Sequence, residues 1–585
     1  MGKYAFKLLE GKALIRSAGR ICEMPDELLK SQPFREFLVR AVENLQWKNS
    51  PLLEIFGERE INRESIDLLL KTFQYLVKME GDLVPNIVEG SDVFFADPER
   101  FNDFVEYLYN YWRHFDRFIV VSNPEGQELD HRPYRTFNDT IEQLTHLVRG
   151  TYRDIQENIT HRHPRIYRQV SAGADVSAIA CPTEIPLPDG PYGKLDHIPI
   201  IRQVLLYPPL VLEPPMNRRT GQFQQVGENP LSVSEIDPTE WLCYPAKVGE
   251  LVILVYFQER FFELGFSLCN LFELASDEDL QRPPDAVYTY GVPGGALDRY
   301  GELPTVFYDD DENDLMVGAV PNEDMYGYFG YLKKMVLTLH NIRRMKTGYL
   351  PYHGAMVQIT VKGNKATFLM IGDTGAGKSE TLEAFRILGE EMIEDITIIA
   401  DDMGSLEIDE EGNVIGYGTE VGAFVRLDDL QPGFAFGQMD RTIFMSPAEQ
   451  NARALLPVTT YNNVVCGFPI DYVLYANNYE EIGEEHPIIE QFESAEEALD
   501  VFRSGAVMSK GTTTTKGLVH SYFANIFGPP QYRSLHDSLA EKYFEQLFEN
   551  GVFVGQMRTR LGIPGWERKG PEATARELLK MMEDL

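Results

Sequence analysis

Eight consecutive residues, Gly372, Asp373, Thr374, Gly375, Ala376, Gly377, Lys378 and Ser379, satisfy the pattern G-x-x-x-x-G-K-[ST]. The pattern suits phosphate chemistry for a physical reason. Glycines let backbone N–H groups turn inward around phosphate oxygens, and the start of a following helix adds partial positive charge at the same point. In this reading Gly372 to Ser379 cradle a nucleotide, Lys378 reaches its β- and γ-phosphates, and the Ser379 hydroxyl ligates Mg²⁺. The flanks agree, because ATFLMI reads as an apolar strand and SETLEAF as the start of an amphipathic helix. A strand–helix turn that binds nothing is the alternative, and the filled motif between correct flanks argues against it.

A second chemical signal follows, where the apolar run EDITIIADDMG ends on Asp401 and Asp402. Carboxylates at the tip of a strand beside a phosphate loop sit where a phosphate-bridging metal needs hard oxygen ligands. Asp is also common in turns, so the pair alone would be ambiguous. The upstream loop favours metal binding.

These residues need elements to hold them, and the chain offers a plausible set. From about residue 350 the texture is α/β: QITVKGNKATFLMI predicts a hairpin, followed by a helix, with TIIADD as a further strand. Residues 26 to about 160 carry apolar residues at helical spacing in LLKSQPFREFLVRAVENL, INRESIDLLLKTFQYLV and FNDFVEYLYNYWRHF. A Pro-, Gly- and Ala-rich stretch near 170 reads as a boundary, and VLLYPPLVLEPP and ELVILVYF read as short strands beyond it. The expected organisation is α/β: a mainly helical region over 1–170, a mixed α/β substrate-side domain over 171–340, and a nucleotide-binding catalytic domain over 341–585.

Composition narrows the class of partner. The chain has 585 residues, and 54 Lys+Arg against 90 Asp+Glu gives a net charge of −36. A surface this acidic repels nucleic acid and anionic membranes, while leaving room for a small anion in a local basic pocket. The five cysteines include no C-x-x-C pair, so neither a disulfide framework nor a structural zinc site is expected. No window has the roughly 18 apolar residues of a membrane span, and the start of the chain lacks the apolar core of a secretion signal. A cytoplasmic protein acting on a small molecule is the expectation. Oligomeric state is left open.

Three further segments narrow the reaction. Tyr328-x-Gly330-x-x-Lys333-Lys334 lies upstream of His353 in YLPYHGAMV, Arg453 lies downstream in QNARALLPVTTYNNVV, and SGAVMSKGTT and YFANIFGPPQYRSLH close the catalytic half. This order over about residues 320–555 resembles phosphoenolpyruvate carboxykinases, most nearly the ATP-dependent branch. The HGAMV, GDTGAGKSET and IIADD core also resembles the HPr kinase/phosphorylase family, which shares the nucleotide-binding module.

The resemblance implies that Lys334, His353 and Asp402 ligate a transition metal, usually Mn²⁺, with Asp401 beside them. Lys378 and Ser379 would contact ATP, or another phosphate donor, and its Mg²⁺. Arg453 would span the substrate and the transferring phosphoryl group, Arg426 would keep a cation where the family has lysine, and Tyr328 would line the carboxylate or CO₂ site. The active site would lie between the middle and C-terminal domains.

The chain also departs from the family. Tyr331 replaces the family's glutamate, Ser379 stands where Thr is usual, and Arg218 and Arg219 in NRRTGQFQQV are only loose counterparts of the arginine that grips the substrate carboxylate. The base clamp has no evident match. The resemblance therefore implies either decarboxylation and phosphorylation of oxaloacetate or, alternatively, kinase activity on a protein serine or a small-molecule hydroxyl.

Overall fold

The computed structural model describes residues 4–17, 22–57, 60–122, 132–163, 170–427, 439–483, 486–509 and 517–583. Residues 510–513 of the SGAVMSKGTT segment lie outside these. The chain forms two compact units: Met1–Pro182 with Pro199–Tyr207, and Thr183–Ile198 with Pro208–Leu585. Both mix helices and strands. The boundary expected near 340 falls inside the second unit.

In the first unit, strands β1 (Tyr4–Leu9), β2 (Lys12–Ser17), β3 (Asp116–Val121), β4 (Val176–Cys181) and β5 (Ile200–Leu206) lie side by side in that order. The β2–β3 and β3–β4 pairs are parallel, and β1–β2 and β4–β5 are antiparallel. Helices α1 (Pro25–Lys30), α2 (Gln32–Trp47), α3 (Arg63–Leu76), α4 (Pro98–Arg113) and α5 (Arg132–Thr160) complete it. Helices predominate over 25–160, and the unit also carries a mixed sheet.

Capping explains where several of these helices start. The Ser31 hydroxyl accepts from Phe34 N, Asn62 and Ser65 cap α3 reciprocally, and Asp97 accepts from Arg100 N. Phe37, Leu38, Leu69, Phe73, Phe101 and Phe104 fill the core between the helices.

The second unit holds the candidate residues. One sheet runs β6 (Trp241–Val248), β7 (Leu251–Gln258), β8 (Ala286–Val292), then β10 (Leu315–Pro321) and β9 (Val306–Asp310). Helix α6 (Phe329–Lys346) packs on it with nearly every side chain buried.

The next strand, β11 (Leu350–Val361), organises the second sheet. It forms the expected hairpin with β12 (Asn364–Ile371) through a two-residue turn whose Lys362 and Gly363 both have positive φ (50° and 82°). After α7 (Lys378–Met392), β13 (Asp395–Ala400) and β14 (Met403–Ile408) both pair with β11, along its C-terminal and N-terminal halves respectively. A smaller sheet contains β15 (Gly422–Arg426) antiparallel to β16 (Arg453–Pro457). Strands β17 (Tyr472–Asn477) and β18 (Phe553–Arg558) extend the β12 side in parallel. No described helix is long and apolar enough to cross a membrane.

Candidate functional site: a phosphate loop facing a Lys–His–Asp corner

β12 ends at Ile371 and α7 begins at Lys378, so the phosphate motif forms a strand–loop–helix turn. Gly375 and Gly377 have φ of 80° and 102°. A Cβ on Gly377 would sit 2.6 Å from Thr559 Cβ, so only glycine fits that approach. The loop is braced from behind: Thr559 donates to Ala376 O at 2.6 Å and Asn478 to Gly375 O at 2.9 Å. The buried Lys378 ammonium donates to Gly372 O and, at 3.3 Å, to Asp373 O. It holds the loop shape through the same N–H groups that a phosphate would accept.

β11 joins this loop to the strand-end acids. Gly372 N donates to His353 O at 3.2 Å, and Gly354 N donates to Asp402 O at 2.9 Å. The His353–Gly354 peptide therefore touches the loop on one side and Asp402 on the other. His353 Nε2 lies 3.0 Å from Asp402 Oδ1, while its Nδ1 contacts the Ala524 carbonyl. That carbonyl is presented by an unusual turn in which Phe523, Ala524 and Asn525 all have positive φ (43°, 57° and 63°).

Of the two adjacent lysines, Lys333 makes the ion pairs, at 2.7 Å to Asp402 and 2.9 Å to Glu420. Burial alone would lower its pKa, but the two carboxylates outweigh burial and raise it. Burial likewise pushes Asp402 up, yet Lys333 and His353 hold it well below the usual carboxylate range. Glu420, buried and beside Asp402, is pushed up to about 7 despite Lys333.

Lys334 instead rests its ammonium over the Phe527 ring, 4.7 Å from the centroid. Burial, aided by Arg219 and Arg453, lowers its pKa to about 8 against the opposing pull of Asp402. It is the easier of the two amines to deprotonate.

His353 Nε2 and Asp402 Oδ1, 3.0 Å apart, share one cleft with the Lys334 amine. Among the described residues no group of three or more His, Cys, Asp or Glu could hold a metal.

Arg426 and Arg453 are direct register partners on β15 and β16. The Arg453 guanidinium lies 5.3 Å from the Phe424 ring centroid. Tyr328 precedes α6 and is nearly buried, its ring 6.1 Å from that of Phe424. Gly330 makes room for it, since a Cβ there would lie 2.3 Å from Tyr328 Cε1. Tyr328, Lys333, Lys334, His353, Thr374, Gly375, Lys378, Ser379, Asp401, Asp402, Arg426 and Arg453 all line one cleft of about 200 Å³ inside the second unit.

Some functional residues were invisible or faint in the sequence. Glu420 emerges only from its contacts with Lys333 and Thr419. Arg219 is brought close enough to Lys334 to lower its pKa, because the segment around it is tied down at several points. Thr220 N donates to the Tyr331 hydroxyl at 2.8 Å, and that hydroxyl donates to Thr220 O at 3.1 Å. Asn217 donates to Glu449 and to Gln450 O at 2.6 and 2.7 Å, just ahead of Arg453. The departure at Tyr331 was the available signal. Arg560, next to the loop-bracing Thr559, is buried and stacks 3.7 Å from the Trp566 centroid.

No family model and no curated protein matches this chain.

Proposed function

We propose that the second unit catalyses the nucleotide-dependent conversion of oxaloacetate to phosphoenolpyruvate and CO₂, in the manner of phosphoenolpyruvate carboxykinases. The observation that carries this reading is the meeting, in one cleft, of the Gly372–Ser379 loop, the Lys334–His353–Asp402 corner and the facing Arg426–Arg453 pair. A phosphate loop alone serves many reactions. The second nitrogen-rich corner beside it supplies what an enolate intermediate needs.

In this reading ATP or another phosphate donor enters with Mg²⁺ at Ser379, and Lys378 exchanges its loop carbonyls for β- and γ-phosphate oxygens. Lys334, His353, Asp402 and the adjacent Asp401 hold a second divalent ion, Mn²⁺. When bound, that ion supplies Lewis-acid stabilisation of negative charge on an oxygen. Arg219 offers a cation for the substrate carboxylate and Tyr328 lines the CO₂ side. Loss of CO₂ leaves an electron pair on the enolate, whose oxygen attacks the γ-phosphorus while the nucleoside diphosphate departs. Arg426 and Arg453 offset the charge on the transferring group, a step that needs positioning more than covalent help.

The test is to incubate the purified chain with oxaloacetate, Mn²⁺ and, in turn, ATP, GTP and pyrophosphate, with Lys378→Ala as control. Phosphoenolpyruvate from the wild type alone supports the reading. Nucleotide hydrolysis without phosphoenolpyruvate from any donor overturns it in favour of a kinase with another acceptor.

A further inference from the structure

The first unit contains a cavity of about 130 Å³, bounded by β1–β3 and helices α1–α5. Aromatic rings dominate its walls, among them Phe6, Phe34, Phe37, Phe73, Trp112 and Phe118. Protein interiors normally pack as densely as organic crystals, and voids of this size are few. An apolar void of about 150 Å³ stays dry and takes up benzene, so this one matches a single ring in size.

The polar groups at the wall decide what kind of ring. Arg117 is paired: its guanidinium meets Asp175 at 2.6 Å and donates to Gly173 O at 2.6 Å. Trp112 donates to Ala172 O at 2.7 Å, and the Ser31 hydroxyl donates to Leu28 O at 2.7 Å. Each of these is already tied to a partner within the protein.

Thr151 differs. It lies on the cavity wall, is only 5% exposed, and its hydroxyl has no hydrogen-bond partner. Thr145 and Thr160 on the same helix satisfy themselves by donating to the carbonyl four residues back, at 3.2 and 2.9 Å. Thr151 forgoes that bond, although an unpaired buried hydroxyl is costly.

The geometry points to a binding site for a neutral single-ring aromatic molecule carrying one hydroxyl or carbonyl oxygen. The ring occupies the space among the Phe and Trp side chains, and its oxygen pairs with Thr151. A carboxylate is disfavoured, because among the described wall residues the cation, Arg117, is already paired with Asp175 and a buried unpaired anion is costly. This site is independent of the cleft in the second unit and of the reaction proposed there.

The experiment titrates the full-length chain with 4-fluorophenol, 4-fluorotoluene and 4-fluorobenzoate, followed by fluorine NMR. Saturable binding is expected for 4-fluorophenol, roughly tenfold weaker binding for 4-fluorotoluene, and none for 4-fluorobenzoate. Thr151→Val, nearly isosteric, should bring 4-fluorophenol down to the level of 4-fluorotoluene. Val148→Phe, which fills the cavity, should abolish both, with circular dichroism reporting that each variant is folded. Absence of saturable binding by either neutral probe, a water-filled cavity, or an unchanged 4-fluorophenol affinity in Thr151→Val would overturn the proposal.

Discussion

Arg426 and Arg453 face each other directly across an antiparallel strand pair, and both line the cleft beside the phosphate loop. Like charges placed directly opposite on one sheet face repel, typically by a few tenths to about 1 kcal/mol. Arg426→Met should lower turnover by roughly a hundredfold or more, beyond anything its urea midpoint accounts for. Denaturant titration and initial rates on the same preparation separate the two effects. A lower midpoint with unchanged turnover would make the arginine structural.

The buried charges around Lys333 divide unequally. Asp402 is held ionised by Lys333 and His353, whereas burial and Asp402 push Glu420 up to about 7. Removing the cation strands a buried carboxylate, so Lys333→Met should cost about 3–5 kcal/mol. Glu420→Gln replaces a group already close to half-protonated at neutral pH and should cost under about 1.5 kcal/mol. Chemical denaturation at pH 7 reads both, and equal losses would contradict this ordering.

Much of the site was legible because its signals are local. The Gly372–Ser379 loop and the strand-end acids occupy single stretches of chain, and the Lys362–Gly363 turn follows from short-range geometry. The distinction between Lys333 and Lys334 was not legible. Consecutive helical residues point about 100° apart, so one amine meets Asp402 and Glu420 and the other meets Phe527, and only the packed helix says which. The first-unit sheet was hidden for a related reason. Ala13 pairs with Arg117, across more than a hundred residues, and no local periodicity reports such a partner.

Tyr331 carries a testable consequence of the chain's departure from the family pattern. Its hydroxyl makes two hydrogen bonds to Thr220, next to Arg219. Tyr331→Phe removes both and leaves the ring in place, at about 1–2 kcal/mol of stability. If the segment positions Arg219 for a carboxylate, KM for oxaloacetate should rise about tenfold while KM for the nucleotide holds. A parallel rise in both would mean a general loosening of the cleft.

Acid sensitivity follows from two histidines kept neutral by burial. Burial and the nearby Arg344 lower His340 to about 3, against the Asn341 hydrogen bond. Burial lowers His536 to about 4, against the Pro351 carbonyl and Asp537. In the unfolded chain both titrate near 6.5. As pH falls below 6.5 the unfolded state takes up protons that the folded state refuses, so stability declines from there down to about pH 4. Each histidine contributes up to about 1.4 kcal/mol per pH unit in that window. Carboxylates paired in the fold add the same sign only nearer pH 4, while Glu420, raised to about 7, takes up its proton first in the fold and opposes the histidines in this window, so the comparison of variant with wild type isolates His536. His536→Gln should reduce the slope of unfolding free energy there by about one proton, with little change in slope above pH 7. An unchanged slope would mean that His536 is protonated in the folded protein.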